Sequence, residues 1–353
     1  MDSQTGEHPK ERYPIYFEKF LQKMRLPAWV AGPALALTMG TAFVASDIVA
    51  GLSTLERFNV VVALLISITL APILMVWIRN KSVVAYLNLL PVVAPNERAK
   101  FMGLVSKAFD QRRSLVFSLF VGTGGVLHHI VLSYFEWGRI WWYTVLDIVL
   151  VGFVWWFVVA GFLWVCVSIA FYSYLASKHV RFTPNIVSHT RMCGLESFET
   201  LSVIPAVAWA TVVVFGILST FDPYVLKFFP QLVLVYLALE FLIVASSMTA
   251  IFSLPVFGYR AIILPLKRSF LMRLDQLISS LTKAEDLASL SIDDKSALKH
   301  VYLWELLTEI ESVKEWPLSM GSSVRFLLSY MIPATIYLGR LILLFSFKIQ
   351  IPA

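Results

Sequence analysis

Several polar or ionisable residues stand inside long apolar stretches of the sequence. Side chains of this kind are costly at membrane depth and commonly line an ion or ligand path there. Glu240 follows Pro230 by ten residues, which on a helix places it about 15 Å into its stretch, near the middle of a bilayer. The sequence therefore predicts a candidate pathway or ligand cavity formed by Glu240, Arg340, His128, His129, Asp147 and Ser247.

The position of these ionisable residues along their stretches indicates what they could do together. All of them fall at the predicted midplane or on its outer side. We therefore expect an outward-opening polar cavity for an ion or small ligand, closed on the inner side by apolar packing. The alternative is an ion pair of Arg340 with Glu240 or Asp147 that fixes helix register without forming a pathway.

The residue pattern does not favour a metal-binding or cofactor-binding site. His128 and His129 are adjacent, so their side chains diverge by about 100° on a helix and cannot easily bind one ion. Cys166 and Cys193 have no CxxC partner, and we expect two buried or reduced thiols. The sequence contains no HExxH, GxSxG or P-loop pattern. We expect no catalytic, cofactor-binding or metal site, and no enzymatic activity.

The composition sets the class of protein that carries these residues. Of 353 residues, 58% are hydrophobic and only 15% are charged, with a mean hydropathy of +0.74. A soluble chain could not hide so much apolar surface, which excludes a soluble enzyme, a disordered tail and a disulfide scaffold. The net charge of +6 comes from residues between apolar stretches, so we expect no nucleic-acid partner.

Seven stretches are long enough to cross the hydrocarbon core, which takes roughly 20 apolar residues on a helix. The expected fold is an all-α polytopic bundle with a helical cytoplasmic layer. The predicted transmembrane helices cover residues 28–50, 58–78, 114–135, 142–172, 200–220, 231–256 and 324–346.

The distribution of Lys and Arg predicts the orientation of the bundle. With the N-terminus inside, 24 of these residues fall in inner segments and four in outer segments. Cytoplasmic segments carry such an excess of positive charge. We expect the N-terminus inside and the C-terminus outside, in a multi-pass protein of the plasma membrane.

The inner segments predict four regions of organisation. Residues 1–26 form a cytoplasmic segment with an amphipathic interfacial helix, and 27–258 hold the first six spans with cytoplasmic loops 79–113 and 173–199. Residues 259–322 form a cytoplasmic helical hairpin, and 323–353 hold the seventh span and a short outer C-terminus. Apolar stripes along the inner helices predict packing surfaces and a homo-oligomer joined through them.

This topology, seven spans with a cytoplasmic N-terminus and a helical inner segment before the last span, is similar to that of insect odorant and gustatory receptor channels. The likeness favours a channel and carries over no functional residue. Our leading interpretation is a channel or transporter for an ion or small solute, with the lipid bilayer and a second copy as partners. The alternatives are a ligand-sensing receptor, including a ligand-gated channel, and a non-catalytic scaffold subunit of a membrane complex.

Overall fold

The computed structural model describes residues 19, 23, 26–50, 58–137, 153–185, 192–219, 230–284 and 294–350. Within these ranges the chain is α-helical and contains no β-strand, as predicted. The helices in this part of the chain are α1 (Ala28–Ala50), α2 (Phe58–Leu89), α3 (Arg98–Ala108), α4 (Gln111–Trp137), α5 (Trp156–His179), α6 (Ser197–Ser219), α7 (Pro230–Ala284), α8 (Asp294–Glu311) and α9 (Met320–Gln350).

Among the described residues, four segments are long and apolar enough to cross a membrane, which supports the membrane class predicted from composition. They are Val61–Val92, Phe153–His179, Ser197–Phe215 and Phe241–Ser280. These segments overlap the predicted spans 58–78, 142–172, 200–220 and 231–256. The other predicted spans coincide with α1, α4 and α9, and their passage through the membrane stays a prediction, as do the orientation and the cytoplasmic layer.

Two helices form the centre of the bundle. α6 packs against α2, α5, α7 and α9, and α5 also packs against α2, α3, α4 and α7. α1 packs mainly along α2, whereas α8 packs along α7. The largest buried cluster accordingly draws most of its residues from α2, α5, α6 and α7.

Small residues allow the outer helices to approach their neighbours closely. The buried face of α4 carries Ser114, Ser118, Gly122 and Gly125. A Cβ atom on Gly122 would lie 3.1 Å from the Phe153 ring. α1 approaches α2 more closely still, since a Cβ atom on Gly32 would lie 2.5 Å from the backbone oxygen of Thr69. Backbone contacts of this kind are typical of helices packed within membranes.

α7 is the longest element, and it differs from what the sequence predicts. Its 55 residues extend about 80 Å, against about 30 Å for a hydrocarbon core. The sixth predicted span and the first arm of the predicted hairpin are one continuous helix, and the predicted boundary at 258/259 lies inside it. Pro255 and Pro265 are tolerated because packing holds the helix between them, where Tyr259 and Ile263 are almost fully buried.

A second layer of structure closes one end of the bundle, which we call the α3 end. α2 continues past its predicted end at residue 78 to Leu89, and Arg79 is buried within it. Val93 and Phe182 then form an isolated antiparallel bridge, with the Ala94 amide donating to the Arg181 carbonyl at 3.0 Å. α3 begins at Arg98, following a short turn at Pro95–Glu97.

Candidate functional site

The structure places the predicted site residues on three helices. Glu240 lies in α7, ten residues after its first residue Pro230, and Arg340 lies in α9. His128 and His129 lie in α4. The side chains of these four residues are outside the described part of the structure, and Asp147 lies outside the described residues altogether. Their contribution to a cavity therefore stays a prediction.

Ser247 is the predicted site residue whose side chain is described, and it joins two helices. The indole Nε1 of Trp209 in α6 donates a hydrogen bond to Ser247 Oγ at 2.9 Å. Ser247 Oγ in turn donates to the Val244 carbonyl one turn earlier, also at 2.9 Å. The hydroxyl thus satisfies a donor that would otherwise be buried without a partner, because Trp209 is only 4% exposed.

Trp209 is the residue that sequence reasoning missed at this position. It lies in the middle of an apolar stretch, and its ring also stacks on Phe162 of α5, with centroids 6.0 Å apart. A buried tryptophan usually finds an acceptor for its N–H. The sequence contains a tryptophan in one predicted span and a serine in another. It does not show that these two helices pack together, so the hydrogen bond could not be predicted from it.

The helices that carry the remaining predicted site residues are not all neighbours. α7, which carries Glu240 and Ser247, packs mainly against α5 and α6. α4 packs against α5, whereas α9 packs mainly against α6. Among the described residues, the helix with His128 and His129 therefore has no extensive contact with the helix that carries Arg340.

Five aromatic rings cross the α3 end of the bundle, and we call them the aromatic layer: Tyr86, Phe101, Phe182, Phe198 and Tyr259. Successive centroids lie 6.2, 6.1, 6.2 and 6.4 Å apart, each pair edge to face. All but Phe182 are almost fully buried. The layer links α2, α3, α6 and α7 through close apolar contact.

Hydrogen bonds fix both ends of the aromatic layer. Tyr86 donates to the Ile169 carbonyl at 2.8 Å and lies 2.9 Å from Ser173 Oγ in α5. Tyr259 donates to the Lys314 carbonyl at 2.6 Å. Each phenol therefore ties the layer to a different part of the chain, α5 in one case and the segment after α8 in the other.

The segment between α8 and α9, residues 312–319, is held by side chains from two helices, and we call it the connector. Lys267 of α7 donates to the carbonyls of Glu311 and Val313 at 3.0 and 3.1 Å. Lys267 also lies 3.5 Å from a carboxylate oxygen of Glu315. The guanidinium of Arg260 stacks over the Trp316 ring at 4.6 Å. These contacts join the connector to the extension of α7.

Glu199 of α6 holds the other end of the connector. Its carboxylate accepts hydrogen bonds from the backbone amide and the hydroxyl of Ser319, at 3.1 and 2.7 Å. Ser319 precedes α9, and its hydroxyl accepts a bond from the Ser322 amide at 3.2 Å. A carboxylate near the first turn of a helix is favourable, because the free amides there carry partial positive charge.

The turn that leads into α6 contains an inert thiol. Cys193 has a φ of 58° and precedes Gly194, whose φ is 82°. Burial, together with the nearby Glu196 carboxylate, raises the pKa of the Cys193 thiol to about 11. Both Cys193 and Cys166 are free and buried, as the sequence predicted.

A shallow depression lies elsewhere, on α8. It is lined by Val301, Trp304, Glu305, Thr308, Glu309 and Ser312. The described His, Cys, Asp and Glu side chains form no group of three that could hold a metal ion. Comparison of the chain with protein-family models, with curated proteins and with solved structures finds no match.

Proposed function

We propose that the chain is an integral membrane channel or transporter that moves an ion or small solute through a polar cavity. The observation that supports this proposal best is the aromatic layer, a packed apolar closure at one end of a membrane bundle. An outward-opening cavity requires a closure of this kind on its inner side. The proposal includes the predicted orientation, with the α3 end in the cytoplasm, and residence in the plasma membrane.

The polar residues of the proposed pathway lie well away from this closure. Ser247 precedes Tyr259 by twelve residues of α7, about 18 Å along the helix, and Glu240 precedes it by nineteen, about 28 Å. Positions 240 and 247 are two turns apart and recur on the same face of a helix. In the proposed pathway Glu240 is the charged side chain that the ion or solute passes, and the Trp209–Ser247 hydrogen bond lies at the inner end of the cavity.

Flux measurements on purified protein in liposomes test the proposal. We expect ion or solute flux from the wild type, altered severalfold in Glu240→Gln and Arg340→Gln. Glu305→Gln and Arg268→Gln are the matched controls, since both change the same charges at exposed positions on α8 and α7. Wild-type flux in Glu240→Gln would refute the role of that carboxylate, and silence of the wild type under all gradients would refute the transport function.

The second candidate is a ligand-sensing receptor, and the continuity of α7 favours it. One helix runs from the region of Glu240 to the connector contacts of Arg260 and Lys267. A change at the outer end could therefore reach α8 without crossing a flexible loop. If the protein carries no flux but a ligand changes the hydrogen exchange rates of residues 294–311, the receptor function is supported. If no ligand of a panel changes these rates, the receptor function is contradicted.

The proposed protein is a homo-oligomer joined through its cytoplasmic helices. Val301, Tyr302 and Trp304 on α8 are 59%, 64% and 58% exposed, although α8 is outside the candidate spans. Apolar side chains exposed to water at this density are typical of an interface. We expect Trp304→Glu to lower the mass of the purified assembly and Ser106→Glu, an equal charge on α3, to leave it unchanged. If Trp304→Glu leaves the mass of the assembly unchanged, α8 is not part of the interface.

A further inference from the structure

Two arginines stand at the beginning of α4, immediately before an exposed apolar strip. Arg112 and Arg113 are both exposed. They are followed by Val116, Leu119 and Phe120, whose side chains are 60%, 43% and 79% exposed. The change from exposed charge to exposed apolar surface therefore takes place within about one helical turn.

The arginines and the apolar strip share one side of α4. Positions 112, 116, 119 and 123 recur on one face of a helix, and position 120 falls on the face of position 113. The opposite face, with Ser114 and Ser118, is buried against α5. The exposed strip continues to Leu127, which is 61% exposed. In the predicted span 114–135 this strip contacts acyl chains, which sets Arg112 and Arg113 at the level of the lipid headgroups.

Two contacts hold the Arg113 guanidinium in one orientation, and Arg112 forms no ion pair with a described carboxylate. The Nε atom of Arg113 lies 3.2 Å from Asp110 Oδ2, and its Nη1 donates to the Tyr172 hydroxyl at 2.9 Å. Asp110 also accepts from the backbone amide of Arg112 at 3.0 Å. No described carboxylate lies within 4 Å of the Arg112 guanidinium, so its charge is not neutralised by this part of the chain.

The surrounding surface is mostly basic, although Lys100 is paired with Glu97 at 3.5 Å. Next to Tyr172, Phe171 of α5 is 44% exposed, which extends the apolar surface beside the arginines. Toward the end of the bundle follow four further exposed basic residues, Lys100, Lys107, Lys178 and Arg181. Basic side chains within about 10 Å of a membrane attract anionic lipids, because screening is incomplete over that distance.

From this geometry we infer that Arg112 and Arg113 bind the phosphate of an anionic phospholipid. The headgroup lies against the two guanidinium groups, and the acyl chains lie along Val116, Leu119 and Phe120. Arginine suits this role because its planar fork donates two hydrogen bonds to phosphate oxygens. The ligand is a lipid and not free phosphate, because the apolar strip directly follows the arginines and would bind acyl chains, which free phosphate lacks.

Native mass spectrometry of the full-length protein in detergent tests this site, with phosphatidylglycerol and phosphatidylcholine as probes. We expect the wild type to retain phosphatidylglycerol in preference to phosphatidylcholine. Arg112→Gln should weaken phosphatidylglycerol binding about fivefold, and the Arg112→Gln/Arg113→Gln double variant should weaken it further. Because Arg113 also contacts Tyr172, the single Arg112→Gln variant separates lipid binding from folding.

Arg268→Gln/Arg273→Gln is the matched control. Both residues are exposed on α7. Gly258 of α7 adjoins Ser177 of α5, five residues beyond Tyr172, so Arg268 lies about 20 Å farther from the headgroup level. We expect this control to bind phosphatidylglycerol like the wild type.

Three results would overturn the inference. The first is equal retention of phosphatidylglycerol by the wild type and Arg112→Gln. The second is an equal loss in Arg268→Gln/Arg273→Gln, which would reduce the effect to net charge. The third is displacement of phosphatidylglycerol by inorganic phosphate at equal concentration, which would show that the acyl chains contribute nothing.

Discussion

Glu199 and Ser319 are separated by 120 positions in the chain, yet the carboxylate of the first accepts two hydrogen bonds from the second. This contact joins the beginning of α6 to the beginning of α9. Together with the bonds from Tyr259 and Lys267, it fixes the connector at both ends. Any movement of α8 relative to the bundle must therefore break specific bonds made by α6 and α7.

Removing the Glu199 carboxylate should loosen the start of α9. We expect Glu199→Ala to lower the free energy of unfolding by about 1–2 kcal/mol and Glu199→Gln by less, since an amide oxygen still accepts one bond. Thermal unfolding in detergent measures the loss, and hydrogen exchange of residues 319–323 locates it. Glu305→Gln, at an exposed position on α8, is the control. If residues 319–323 exchange at the same rate in Glu199→Ala as in the wild type, Glu199 does not stabilise the start of α9.

The Trp209–Ser247 bond should show strong coupling between the two side chains. Ser247→Ala leaves the buried indole N–H without its acceptor and should cost about 1–3 kcal/mol of stability. In a Trp209→Phe background the same change should cost little, because no donor remains. A double-mutant cycle in chemical unfolding measures this difference. Additive losses would mean that the two side chains do not interact.

Close packing of α1 on α2 should make Gly32 intolerant of any side chain. Gly32→Ala places a Cβ atom 2.5 Å from the Thr69 oxygen, so the two backbones must separate. We expect a loss of about 1–3 kcal/mol in stability. Gly124→Ala is the control, because nothing lies within 4 Å of a Cβ atom there. Equal melting temperatures for the two variants would argue against the α1–α2 contact.

Lys267 should stabilise the end of α8 and the connector. Its ammonium group satisfies the carbonyls of Glu311, the last residue of α8, and of Val313 in the connector. We expect Lys267→Met to cost about 1–2 kcal/mol and to speed amide exchange at residues 311–316. Arg268→Met, at the next and exposed position, should change neither quantity. If residues 311–316 exchange at the same rates in both variants, Lys267 does not stabilise the connector.

The Cys193 thiol should react slowly until the solution is strongly alkaline. In a Cys166→Ala background at pH 8, a pKa of about 11 leaves about a hundredfold less thiolate than an ordinary value near 9. Because the folded-state pKa is the higher one, the associated stability is complete below pH 9 and is lost as the pH rises toward 11. Maleimide labelling against pH measures this, and a rate that levels off near pH 9 would contradict it.

The length of the apolar stretches predicted much of the fold from the sequence. The stretches 58–78, 142–172, 200–220 and 231–256 correspond to apolar helices because a membrane span is determined locally, by the hydropathy of its own residues. The ends of the helices were predicted less well. α2 and α7 continue far past the predicted ends because buried contacts at Tyr86 and Tyr259 stabilise helix where local polarity favours a loop.

By itself the sequence predicted the class of the protein: a helical chain with helices long and apolar enough to cross a membrane. The tertiary structure alone decided which polar residues meet. Ser247 was predicted from its own stretch, but its partner Trp209 lies 38 positions away, and the partners of Glu199 and Lys267 lie 120 and 44 positions away. Hydropathy is a property of one segment, whereas a hydrogen bond between helices depends on how two segments pack.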